Sequence, residues 1–184
     1  MVARNGKTLV SVTVSPRPFV WRRVVAWGEE GIAVVQALSS RELAKKLLRS
    51  KDPLQTILED PAATYRQALL VRRDGKYFHF TGMGTLEAKG FVKRNDNYCI
   101  GNGLLSKEVL IDACKASSRD PLKRALEMVK RAEDVGGNAP GARSVALVYV
   151  GNATFTIFKN TKEPFETLRD ELLGLSPLKA FYKL

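Results

Sequence analysis

The chain predicts an α+β fold in which two mostly antiparallel sheets pack face to face with helices on their outer sides. Three observations carry that expectation. The 184 residues fit a single domain, residues 1–184, with enough chain to bury a core. Strand-like segments are joined by hairpin turns at Gly28-Glu29-Glu30, Asp74-Gly75 and Gly151-Asn152. Helix-like segments come in pairs between these strand blocks, whereas a parallel sheet needs one helix after each strand.

Residues 8–15, Thr-Leu-Val-Ser-Val-Thr-Val-Ser, alternate β-branched and polar side chains and predict a strand, which Pro16 and Pro18 end. Residues 23–27 and 31–38 predict two more strands. Ser39 or Ser40 caps a helix running to about Arg49, with Glu42 near its positive end and Leu43, Leu47 and Leu48 as its apolar stripe. Asp52 caps the next helix, with Pro53 in its first turn. Asp60-Pro61 opens a short helical turn that ends near Arg66. Residues 67–72 and 76–81 form a hairpin, residues 82–97 read as a polar loop, and residues 98–100 as a short strand closed by Gly101-Asn102-Gly103. Helices follow over about 106–116 and 121–135, then a glycine loop, a hairpin over 143–150 and 153–159, and a last helix over 163–173.

Composition narrows the function classes. No apolar run reaches the roughly 18 residues of a membrane span, and Arg4, Asn5, Gly6 and Lys7 interrupt any leader-like stretch, so a cytoplasmic protein with no membrane partner is expected. Cys99 and Cys114 form neither a disulfide framework nor a metal set and read as core residues. The net charge is +11, and residues 1–51 hold ten basic against three acidic side chains. That surface suits anionic partners, nucleic acid among them, although a solvated helix face is the commoner reading and aromatic residues are not interleaved with the charges. Few glutamines and abundant charge form a composition met in thermophiles.

The local choices converge most strongly on Gly136-Gly137-Asn138-Ala139-Pro140-Gly141-Ala142-Arg143-Ser144, a glycine-rich loop that leaves a helix and enters a valine-rich strand. It is not a phosphate-binding P-loop, which would enter a helix through Gly-Lys-Ser/Thr. Gly101-Asn102-Gly103 precedes a helix, so its amides suit an anion, though a plain turn serves as well. Arg66 can clamp a carboxylate or satisfy helix-end carbonyls. Gln36 interrupts an apolar strand and needs partners wherever it is buried. His79 is the only histidine, which leaves a His-based triad no second member, and no metal-ligand spacing is present; neither metal nor cofactor is expected. The expected ligand-binding residues are Gln36, Arg66, Asn102, Asn138, Arg143 and Ser144; no catalytic residue is assigned.

Taken in order, Val2-Ala3-Arg4, residues 31–37 with Gln36, Asp60-Pro61 through Arg66-Gln67, Tyr98 with Gly101-Asn102-Gly103-Leu104, and Gly136-Gly137 through Arg143-Ser144 resemble a prokaryotic family catalogued as domain of unknown function 1028. The resemblance spans nearly the whole chain. It implies the fold of the N-terminal nucleophile (Ntn) hydrolases, a four-layer αββα sandwich that agrees with the element order above. In that superfamily a Thr, Ser or Cys heads the mature chain and its own α-amino group is the general base.

This chain departs where that chemistry would sit: Val2 follows Met1 and offers no nucleophile. Asn138 and Pro140 stand where the family usually shows an acidic residue and then an arginine, Arg143 replaces its glutamine, and the tryptophan expected within residues 82–97 is missing. These departures weigh against hydrolysis more than against the fold. The expected function is therefore an Ntn-hydrolase-like protein that binds a small anionic or amide-bearing molecule. The alternatives are an amide (C–N) hydrolase whose nucleophile lies upstream or is freed by processing, and a basic nucleic-acid-binding module. Trp21 and Trp27 near sheet ends suggest a homo-oligomer.

Overall fold

The computed structural model describes residues 1–137, 141–161 and 163–174. One sheet has six strands in the order β10 (Thr154–Asn160), β9 (Ser144–Val150), β2 (Thr8–Ser15), β1 (Val2–Asn5), β8 (Asn97–Gly101) and β7 (Gly90–Arg94). The other has four, β3 (Val25–Gly28), β4 (Gly31–Ala37), β5 (Arg66–Arg72) and β6 (Tyr77–Thr81). Every pairing in both sheets is antiparallel. Six α-helices accompany them among the described residues: α1 (Val20–Arg23), α2 (Arg41–Arg49), α3 (Pro53–Leu58), α4 (Glu108–Ala113), α5 (Pro121–Asp134) and α6 (Pro164–Gly174).

Side-chain alternation along the strands builds three apolar layers. In β2, Leu9 joins a cluster with Ile32, Val34, Leu69 and Val71 of the facing sheet, while Val10 and Val12 join Val109, Leu110, Met128 and Val129 of α4 and α5. In β4, Ile32 and Val34 point between the sheets, and Ala33 and Val35 meet Leu43, Leu47 and Ile57 of α2 and α3. The period-2 pattern of each strand therefore feeds two cores at once. Each fully buried Leu, Ile or Val adds roughly 1.5–3 kcal/mol of transfer free energy.

Two helix starts follow the expected caps, at Ser40 and Asp52, and Asp120 caps a third. Ser40 Oγ accepts the Leu43 N–H at 3.1 Å, Asp52 Oδ1 accepts the Gln55 N–H at 3.0 Å with Pro53 in the first turn, and Asp120 Oδ1 accepts the N–H groups of Leu122 and Lys123. Three segments differ from the sequence expectation. The stretch over 82–97 is not all loop: β7 pairs with β8 through a two-residue turn at Asn95-Asp96, with Asn95 at φ 51°. A helical turn, α1, occupies residues 20–23, so β3 begins only at Val25. Residues 2–5, too short to display a period, form a central strand because β2 and β8 flank them.

Both cysteines are buried. The Cys114 thiol donates to Val92 O at 3.2 Å. Buried Asn97 ties the end of α4 to β8, its amide donating to Cys114 O at 3.0 Å and to Ala116 O at 2.7 Å. Replacing Asn97 with Ala leaves two buried carbonyls without donors. It should lower unfolding free energy by about 2 kcal/mol in urea titration, with the far-UV spectrum unchanged.

Candidate functional site

Strands β2, β4 and β8 all end, and β5 begins, at one end of the sheet pair. There a pocket of about 870 Å3 is lined from both sheets and from the last turn of α5. Its polar centre is a set of three amides. Gln36 and Gln67 are direct neighbours across β4 and β5, and both point between the sheets. Gln67 Oε1 accepts from Gln36 Nε2 at 2.6 Å and from Asn102 Nδ2 at 3.1 Å. Gln67 Nε2 donates to Gly101 O at 2.9 Å and, at 3.2 Å each, to Gly90 O and Thr81 Oγ1. Gln67 itself is fully buried, and Gln36 and Asn102 line the pocket.

The rim at the end of β2 is cationic. Pro16 and Pro18 stop the strand, and Ser144 Oγ donates to Arg17 O at 2.6 Å while Arg143 N–H donates to Ser15 O at 2.9 Å. These bonds fix the turn that carries Arg17. Arg23, from α1, reaches Ser39 Oγ at 3.2 Å, Pro18 O at 3.1 Å and Ser15 Oγ at 3.5 Å. All its partners are neutral oxygens, and burial together with the nearby Arg17 pulls its pKa below the ordinary guanidinium value. Among the described residues neither Arg17 nor Arg23 forms an ion pair. Buried Ser11 and Thr13, on the same face of β2 as Ser15, carry hydroxyls without a hydrogen-bond partner among the described residues, and Thr13 lines the pocket.

On the opposite side, Glu133 lines the pocket from the last turn of α5. Burial, reinforced by the carboxylates of Glu166 and Asp134 against the pull of Lys130, pushes its pKa up to about 7. A carboxylate at the negative end of a helix dipole is also unfavourable on general grounds. Glu133 is therefore poised to hold or release a proton near neutrality.

Of the residues expected from sequence, the structure brings Gln36 and Asn102 together through Gln67. Arg66 stands apart: its Nε pairs with Asp60 Oδ2 at 2.8 Å and its Nη1 donates to Leu38 O, which fastens the start of β5 to the end of β4. Desolvation works against the Asp60 carboxylate, but the hydrogen bonds from Arg66 and from the Ala62 N–H hold its pKa below the usual value. The Arg143 side chain is exposed and outside the pocket wall, and the Ser144 hydroxyl is buried on Arg17 O. Asn138 lies outside the described residues. His79 stacks on Phe91 at 4.0 Å, away from the pocket wall.

Sequence reasoning passed over Gln67, Arg17, Arg23, Thr13 and Glu133. Two signals were available: a second glutamine in an apolar strand, and an acidic residue where a helix end prefers a base. Among the described residues, no group of three or more His, Cys, Asp or Glu side chains is arranged to hold a metal ion, and no helix is long and apolar enough to cross a membrane.

Fold and pocket define a two-sheet α+β protein whose sheets meet over a polar, partly cationic cleft. The chain matches the family of unknown function DUF1028 over residues 2–172 and belongs to that family. A crystal structure of a protein from Silicibacter pomeroyi carrying the same family assignment superposes with a TM-score of 0.86. At 20% identity it covers 94% of this chain and 83% of its own, a likeness of fold. No curated protein matches the chain.

The raised pKa of Glu133 sets a pH dependence. The folded state holds this proton more tightly than the unfolded chain, so the associated stability is complete below pH 4.5 and is lost as pH rises through about 7. Glu133→Gln should remove that slope. Urea titrations across this window should show the variant gaining stability relative to the parent protein as pH rises, and parallel curves would reject the assignment.

Proposed function

We propose that this protein binds a small molecule carrying an anionic group beside an amide, within a four-layer αββα sandwich of the Ntn-hydrolase type. The observation that carries the reading is the pair Arg17 and Arg23, uncompensated by any carboxylate among the described residues, on the same pocket as the Gln36–Gln67–Asn102 amides. An incoming carboxylate would supply the missing counter-charge and accept charge-assisted bonds from the guanidinium edge. The amide side chains present both donors and acceptors to a ligand amide. The apolar wall of Val20, Val24, Val34 and Ile100 would shed water around both contacts.

Binding is favoured over hydrolysis by the state of the hydroxyls near the pocket. Among the described residues Ser11 and Thr13 have no hydrogen-bonded base, Ser15 and Ser39 accept from the Arg23 guanidinium, and Thr85 and Ser144 donate to the carbonyls of Gly82 and Arg17. A nucleophile activated by general base catalysis needs its base within hydrogen-bond reach.

N-acetylaspartate is a simple probe of this chemistry. Calorimetric titration should detect binding, and Arg23→Met should weaken it at least about tenfold, equivalent to about 1.4 kcal/mol. Gln36→Leu should do the same without changing salt dependence, whereas Arg23→Met should reduce it. Equal affinity in both variants and the parent protein would reject the site.

A further inference from the structure

Cys99 and Cys114 meet beneath α4. Cys99 lies in β8 directly opposite Val92 of β7 and belongs to the core on the helix side of the six-stranded sheet. Cys114 closes α4 in the same core. Its Sγ lies 3.2 Å from Val92 O and 3.7 Å from Asn97 O, over the stretch of ladder that carries Cys99. The two thiols hydrogen-bond each other, and the Cys114 sulfur also receives the Cys99 N–H. Both cysteines are free, and neither side chain reaches solvent.

The contact is held from both elements. Asn97, in the same strand as Cys99, donates to Cys114 O and Ala116 O, which pins the end of α4 to β8. The Met1 nitrogen acts on both sulfurs through its charge, but its hydrogen bond goes to Val12 O at 2.9 Å. Strands β7 and β8 and helix α4 therefore build the sulfur pair without it. Donation from the Cys99 thiol, against the cost of burial, holds the Cys114 thiol below its ordinary range, and burial pushes Cys99 well above it. The thiolate that attacks is thus Cys114, and Cys99 is the thiol beside it that can resolve the product.

We infer that Cys99 and Cys114 are a dithiol pair that a hydroperoxide converts to a disulfide. The Cys114 thiolate attacks a peroxide oxygen; an S–O bond forms, the O–O bond breaks, and the leaving hydroxide takes up the proton that Cys114 released. Cys99 then attacks the Cys114 sulfur; the S–S bond forms, the S–O bond breaks, and the second water leaves with the Cys99 proton. The two thiols are oxidised, and hydrogen peroxide is reduced to two waters. The oxidant enters when the end of α4 opens, a six-residue helix of the kind that unfolds locally at lower cost than the whole domain. The disulfide closes the loop over residues 99–114 and restricts the unfolded chain. It also fastens two parts of the pocket wall together, because β8 leads from Cys99 to Ile100 and Gly101, and α4 carries Val109 and Leu110.

The test treats the folded protein with hydrogen peroxide, removes the oxidant, unfolds the chain in iodoacetamide to cap every remaining thiol, and maps the peptides by mass. The expected product is a Cys99–Cys114 cross-link within one chain, lighter by two hydrogens than its two thiol peptides together and reversed by dithiothreitol. The oxidised protein should unfold at a higher urea midpoint than the reduced one. Three results would overturn the inference. Both cysteines could be recovered fully capped after peroxide treatment of the folded protein, which would make them inert core residues. They could gain oxygen without a cross-link, which would show that they do not act as a pair. The cross-link could form and lower the urea midpoint, which would show that the fold does not accommodate it.

Discussion

One buried amide joins the two sheets where the pocket opens. Gln67 belongs to the four-stranded sheet, yet its side chain bonds Gly90 O, Gly101 O and Asn102, all contributed by the six-stranded one. A fully buried amide in an apolar layer costs several kcal/mol unless its donors and acceptor are met. Gln67 is tolerated because both ends are satisfied, and satisfying them requires the ends of β7 and β8 to stand in one place. The position of Asn102, and with it one wall of the pocket, follows from that requirement. Gln36, adjacent in register, completes the set and turns a structural bridge into a surface a ligand can touch.

Around this bridge the chain accepts choices that do not favour stability. Ala37 sits at φ 68° on the pocket wall, in the left-handed region that non-glycine residues seldom adopt. Arg17 and Arg23 lie close together without a carboxylate partner among the described residues, and Glu133 lies at the wrong end of a helix dipole beside two other carboxylates. Elsewhere among the described residues, charges are matched, in exposed pairs such as Lys130–Asp134 and Lys45–Glu42 and in the largely buried pair Arg66–Asp60. Unfavourable groups gathered on one cavity are expected where binding, rather than folding, decides the residue.

Much of the fold was legible in the residues. Thr8–Ser15 reads as a strand by its alternation and β-branched residues, and the caps at Ser40 and Asp52 mark helix starts through side-chain chemistry local to each site. What escaped depended on distant partners. Val2–Asn5 is a strand only because β2 and β8 enclose it, and β7 hid in a polar stretch whose Asn95-Asp96 turn was its single mark. The site was half legible for the same reason. Gln36 stood out as a polar residue in an apolar strand, and Asn102 as part of the Gly101-Asn102-Gly103 turn ahead of a helix. Arg66 stood out too, but its ion pair with Asp60 serves the fold. Gln67 and the pairing of Arg17 with Arg23 emerge only when two sheets are laid together.

The central claim, that the Gln67 amide couples the sheets at the pocket, is tested most directly by a double-mutant cycle between Gln67→Met and Asn102→Leu, read by urea unfolding. Residues joined across one buried network should show a coupling energy on the order of 1 kcal/mol. Effects that add to within roughly 0.5 kcal/mol would contradict it, and would mean that the two sheets are held at this end by apolar packing alone.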